Sequence, residues 1–193
     1  MSMLAKTVLS IPARVGDQSA ISQVVWIAGF ALATALGARL EVPHEPVPYT
    51  LQTLVVLLAG AFLGPRNGAI SQVMYLAAGL LGAPVFAGGG FGLARILGPT
   101  GGYLLAFPVA AATVGFLLQN RRNLLWSFVA MTAGLLIIFS AGTLQLYAGY
   151  FRDWAQAIGA GFLIFSWWDL LKLSAAAMIY HEVSKRWARV PKE

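Results

Sequence analysis

Two charged residues stand where a chain of this kind tolerates few. Asp169 and Lys172 lie inside an otherwise apolar stretch at 158–180. Three positions apart, they share one face of a helix and can pair. A charge in hydrocarbon costs at least about 2.5–3.5 kcal/mol, so pairing is expected, with the polar site turned into a helical bundle. A structural ion pair that only fixes packing is the alternative, and Trp167 and Trp168 keep a shallow, wetted position open. A second candidate is the loop over 84–103, with seven glycines among 20 residues. Such a segment does not hold a helix, and near a membrane it must line protein or a wet cavity. Gly90 and its neighbours bring backbone N–H groups close to a ligand, Phe86, Phe91 and Tyr103 offer apolar walls, and Arg95 offers a partner for a carboxylate. Thr100 lies in the same loop, just before the next helix. The third candidate is Pro46-Val47-Pro48-Tyr49-Thr50-Leu51-Gln52-Thr53. Thr50 or Thr53 can cap a helix there, which explains the threonines about as well as ligand binding does; Gln52 needs a partner or water and is the better site candidate.

These groups suit recognition of a small, partly polar ligand better than catalysis. The chain has no cysteine, which removes thiol nucleophiles, disulfides and thiolate metal sites. It has no H-E-x-x-H, no G-x-S-x-G and no phosphate-cradling G-x-G-x-x-G or Gly-Lys-Ser/Thr. His44 and His181 fall on opposite expected sides of the membrane, so no metal site is expected. An intramembrane hydrolase built on Asp169 and Asp153 lacks a nucleophile.

The elements that position these groups follow from composition. Of 193 residues, 59% are hydrophobic and 10% charged, with a mean hydropathy of +0.74. A soluble domain carries about a quarter charged residues, so this chain is an integral membrane protein. Its net charge of +6 does not point to nucleic acid, because the basic residues are not clustered with exposed aromatics. Charge-free intervals place helices near 20–38, 50–64, 67–83, 101–118, 124–147 and 158–180. Six transmembrane helices in an all-α fold put both termini on one side. With the termini cytoplasmic, nine basic residues (Lys6, Arg14, Arg66, Arg121, Arg122, Lys185, Arg186, Arg189, Lys192) lie inside and three (Arg39, Arg95, Arg152) outside, as the positive-inside rule demands. The expected organisation is a cytoplasmic segment 1–19, a membrane domain 20–182 and a basic cytoplasmic tail 183–193. Nothing at the N-terminus reads as a cleaved signal. Small residues at Ala31 and Ala35 suit either tight internal packing or docking on another membrane protein.

In this order, five segments resemble the BioY family, the biotin-specific substrate-binding (S) components of energy-coupling factor (ECF) transporters. They are 46–53, Leu-Ala-Gly-Ala-Phe-Leu-Gly-Pro-Arg-Asn-Gly-Ala at 58–69, Gly-Ala-Pro-Val-Phe-Ala-Gly-Gly-Gly at 82–90, Leu-Gly-Pro-Thr-Gly-Gly-Tyr-Leu at 97–104 and Trp-Asp-Leu-Leu-Lys at 168–172. The resemblance implies the S-component fold, a prokaryotic plasma-membrane location and a biotin pocket beneath the loops joining helices 1–2 and 3–4. It implies an ECF transmembrane coupling subunit and two ABC-type ATPases as partners, with biotin as ligand and no cofactor. Ala31 and Ala35 then match the face that docks on the coupling subunit. Thr50, Gln52, Phe86, Gly90, Arg95, Thr100, Tyr103, Asp169 and Lys172 are the expected binding residues. One departure is Phe165-Ser166-Trp167, where the family usually has a proline- and glycine-containing approach to the acid. A carrier for another small vitamin has the same fold; a structural scaffold leaves the charge pair without purpose.

Overall fold

The computed structural model describes residues 20–120, 123–163 and 167–186. The chain over these residues is almost wholly helical. Helix α1 (Ala20–Arg39) leads into a two-stranded antiparallel hairpin, β1 (Glu41–Val42) and β2 (Tyr49–Thr50), with Glu41 opposite Thr50. Helix α2 (Gln52–Leu80) follows. The glycine loop contains a 3-10 turn (Ala87–Gly89) and the short α3 (Leu93–Leu97). Helices α4 (Gly101–Leu118) and α5 (Leu124–Leu146) come next, then a π-turn (Tyr147–Phe151), α6 (Trp154–Gly161) and α7 (Trp167–Arg186).

Helix α2 is two helices laid back to back. In a straight helix Gln52 and Tyr75 would be about 34 Å apart at 1.5 Å per residue. Instead Gln52 Nε2 donates to the Tyr75 hydroxyl at 2.6 Å. The fold-back occurs at Gly64, whose φ of 77° and ψ of −179° are open essentially to glycine alone. Pro65 then begins the second leg, where its missing N–H and fixed φ do no harm. The expected separate helices over 50–64 and 67–83 are therefore the two legs of one hairpin.

Close backbone contact holds that hairpin on α4. A Cβ on Gly60 would overlap the Ala111 carbonyl. Without a side chain there, the first leg and α4 pack into the core of Val56, Leu57, Ala110, Ala111 and Val114, none of them exposed. Such small-residue contacts are how helices associate where water supplies no drive. Helix α5 packs on α4, and α7 packs on α5 and α2. At the far end of α4, Trp126 Nε1 donates to the Leu117 carbonyl at 2.6 Å, while Asn123 caps α5 by accepting from the Trp126 backbone N–H at 2.7 Å.

Four helical stretches among the described residues are long and apolar enough to cross a membrane: Ala20–Arg39, Gln52–Leu80, Gly101–Leu118 and Leu124–Phe151. The chain is a multi-pass membrane protein with large apolar side chains such as Leu32, Val109, Phe116 and Leu144 exposed along its helices. The single helix expected over 158–180 is corrected: α6 ends at Gly161, and α7 starts at Trp167. Ala31 is 7% exposed and belongs to the core, while Ala35 is partly buried and packs against the same core. The expected segment 1–19, Arg121, Arg122, Phe165, Ser166 and positions 187–193 of the tail lie outside the described residues.

Replacing Gly60 by leucine should prise the α2 hairpin from α4. The expected outcome is a loss of several kcal/mol, of the order of core overpacking or more. A thermal unfolding scan in detergent checks it, and an unchanged midpoint would contradict the packing described.

Candidate functional site

The groups singled out in the sequence converge at one end of the bundle. Thr50 closes the β-hairpin, Gln52 and Thr53 open α2, and Phe86 and Ala87 come from the glycine loop. Thr100 comes from the residue just before α4, Tyr103, Leu104 and Phe107 from α4, Ile138 and Phe139 from α5, and Asp169 and Lys172 from α7. Together with Val47, Pro48 and Tyr49 they line a cavity of about 630 Å3, its open mouth included. Sites for small organic ligands combine apolar walls with a few converging polar groups. This cavity has that make-up.

At its floor Lys172 Nζ lies 2.6 Å from Asp169 Oδ1, with the two side chains 6% and 2% exposed. The contact is a charge-assisted ion pair, with Asp169 Oδ1 held against the Lys172 ammonium. Thr53 Oγ1, also on the cavity wall, is buried without a hydrogen-bond partner. Buried polar atoms rarely stay unsatisfied, so it is an open position for a ligand donor or acceptor. Lys172 reaches further and donates to the Thr50 carbonyl at 3.0 Å. The ion pair thus holds the end of the hairpin that roofs the site.

The hairpin is also tied to the glycine loop. The Gly88 N–H donates to Glu41 Oε2 at 2.8 Å, and Arg39, at the end of α1, donates to the Pro84 carbonyl. His44 packs its ring on Tyr49, centroids 5.0 Å apart, within the same hairpin. The loop is braced from below. Gln145 Nε2 donates to the Ile96 and Gly98 carbonyls at 3.0 and 2.6 Å, and the Tyr150 hydroxyl donates to that of Leu97 at 3.3 Å. These are the carbonyls a short helix leaves unpaired at its C-terminal end.

Of the nine expected binding residues, seven line the cavity: Thr50, Gln52, Phe86, Thr100, Tyr103, Asp169 and Lys172. Gly90 and Arg95 do not. Arg95 donates to the Ala87 carbonyl at 2.9 Å, its side chain laid along Gly88 and Gly90, where it staples the loop to itself. Phe91, expected as a wall, is exposed. Thr53, for which capping and ligand binding were equally open, is on the wall, and the wall of Leu104, Phe107, Ile138 and Phe139 had no sequence expectation. The signal for Thr53 was present: it follows Gln52 at the start of an apolar helix. Nothing in the runs of α4 and α5 separates cavity-facing apolar residues from core ones.

With this geometry in view, comparison with known proteins decides the family. Residues 7–189 match the BioY family profile. The chain belongs to the BioY family. Among its relatives, the protein named biotin transporter BioY from Thermotoga maritima is 37% identical over 156 residues, covering 81% of this chain and 92% of the relative. The probable biotin transporter BioY of Pyrococcus horikoshii is 41% identical over 157 residues, covering 81% and 93%. A solved structure described as the S-component for biotin from an ECF-type ABC transporter superposes with a TM-score of 0.80 at 25% identity, covering 96% of this chain and 95% of that one. The S-component fold is therefore shared by this BioY-family chain. Its all-α architecture and multi-pass character agree with the relatives' description as transporters.

The ion pair makes a stability prediction independent of any ligand. Lys172→Met leaves a buried carboxylate uncompensated and should cost about 3–5 kcal/mol, whereas Asp169→Asn with Lys172→Met should recover most of it. Unfolding midpoints in detergent test this. A double variant as unstable as the single one would mean that the pairing is not what holds the floor.

Proposed function

We propose that this chain is the high-affinity biotin-binding S component of an energy-coupling factor transporter, mediating biotin uptake. The observation that carries the reading is the floor of the cavity, where a buried acid and lysine, paired with each other, sit under apolar walls. Biotin has a cyclic urea with two N–H donors and one carbonyl, a fused apolar bicycle and a valerate chain. Asp169 Oδ1 and the Gln52 amide oxygen suit the urea N–H groups, and Lys172 suits its carbonyl. Phe86, Tyr103 and Phe107 suit the bicycle, with Thr50, Thr53 and Thr100 supplying further hydroxyls. Gly90 and Arg95 serve the site by holding the glycine loop in shape. The valerate runs toward the mouth.

The remaining parts of the reading are of the same kind. The membrane domain spans 20–182, with six crossings supplied by α1, the two legs of α2, α4, α5 and α7. The segment 1–19 and the tail 183–193 are cytoplasmic in a prokaryotic plasma membrane, with the cavity opening outward. The partners are an ECF transmembrane coupling subunit and two ABC-type ATPases, which supply the hydrolysis that this chain's motifs do not. The chain acts as a binding subunit, with biotin as its ligand and no cofactor. What supports this is the naming of the relatives as biotin transporters and of the structural neighbour as an ECF-type S-component.

Equilibrium binding of biotin to detergent-purified protein is the test. Saturable binding is expected, weakened at least about 30-fold in Asp169→Asn and in Lys172→Ala, the scale for truncating one partner of a buried, hydrogen-bonded charge pair. Undiminished affinity in both variants overturns the site assignment. Binding of another vitamin in place of biotin overturns the ligand and leaves the fold and pocket.

A further inference from the structure

We propose that Tyr75, which does not line the cavity, is a positioning residue that fixes which face of the Gln52 amide the ligand meets. The inference rests on the biotin reading above and deepens it.

Tyr75 sits on the second leg of α2 and is 1% exposed. A phenol buried in an apolar helix must find hydrogen-bond partners. Its hydroxyl donates to the Val85 carbonyl at 3.3 Å, so its proton is committed to the glycine loop. What remains is an acceptor, and Gln52 Nε2 donates to it at 2.6 Å. The nitrogen side of the amide is thereby turned away from the ligand, and the oxygen side toward Thr50. There Gln52 Oε1 accepts from Thr50 Oγ1 at 3.1 Å, with a second lone pair still open. A flipped amide would face the Tyr75 acceptor with an oxygen and sacrifice either that contact or the Val85 bond. The orientation therefore belongs to the relay Val85–Tyr75–Gln52–Thr50, not to Gln52 alone.

The same ring positions the wall. Tyr75 meets Phe86 edge to face at a centroid distance of 5.5 Å and stacks on Phe107 at 6.4 Å, and Phe86 lies over Gly79 one turn further along the helix. Replacing tyrosine by phenylalanine keeps those ring contacts and removes only the hydroxyl. The amide is then free to turn, and the cavity offers one fixed acceptor, Asp169, where it had two. A cyclic urea with two N–H donors loses by that change.

A double-mutant cycle on biotin affinity tests the inference, with wild type, Tyr75→Phe, Gln52→Ala and the double variant measured by equilibrium dialysis in detergent. Tyr75→Phe should weaken binding about tenfold, the scale of one orienting hydrogen bond. In the Gln52→Ala background the same change should alter affinity by less than about twofold, because the residue acts through Gln52. An equal loss in both backgrounds, or no loss in either, overturns the inference. Should Tyr75→Phe not fold, side-chain amide NMR of 15N-glutamine protein decides, with Gln52 assigned by its absence in Gln52→Ala. A held, slowly exchanging Gln52 amide before ligand is added supports the relay, and a freely rotating one overturns it. A wild type that fails to bind biotin sinks the functional reading and this inference together, and it does so before any variant is compared.

Discussion

A paired charge inside an apolar bundle is the constraint on which the rest of this structure depends. Asp169 and Lys172 are too costly to leave in lipid and too polar to leave in a packed core, so the bundle must open around them. It does so by placing a cavity between α2, α4, α5 and α7 at the point where they meet. The lysine does more than neutralise the acid. By donating to the Thr50 carbonyl it ties α7 to the hairpin, and Glu41, opposite Thr50 in that hairpin, ties it on to Gly88 of the glycine loop. Floor, roof and loop form one connected set of polar contacts.

The apolar scaffold earns its rigidity from close approach instead of from water. The α2 hairpin reverses at Gly64-Pro65 and lies on α4 through Gly60, so that both ends of α2 return to the same side of the bundle. That reversal is what brings Tyr75 and Gly79, late in the helix, next to Gln52 at its start. Phe86 is then held between the second leg and α4, forming one wall of the cavity. The glycine loop has little regular structure of its own, and its shape comes from Arg95 within it and from Gln145 and Tyr150 beneath it.

Much of this was legible in the sequence because charge is scarce there. The expected helix over 101–118 coincides with α4, and those near 20–38 and 124–147 end within a residue of α1 and α5. The Gly-Pro turn was legible for the same reason, since it interrupts an apolar run with residues a helix cannot continue through. The break between α6 and α7 was not, because the apolar run carries on across it and only Gly159 and Gly161 hint at a stop. Direction was the harder quantity. Small residues at Ala31 and Ala35 suit an inner and an outer face equally; Ala31 lies in the core and Ala35, partly buried, at its edge. Arg95 is a cation beside a ligand loop, and glycine-rich backbone gave it a carbonyl to hold before any ligand did. Tyr75 escaped notice because its partner lies 23 residues away across a turn whose geometry fixes the meeting.

The most direct measurement of the central claim is a structure of the biotin complex in a lipid environment. The account predicts the urea ring between Gln52 and the Asp169–Lys172 pair, with an N–H within about 3 Å of Asp169 Oδ1 as hydrogen bonding requires, and the hairpin over it still joined to Lys172 through Thr50. Biotin bound away from that pair, with Asp169 and Lys172 untouched beneath it, would contradict the claim that the buried charges are the reason the cavity exists.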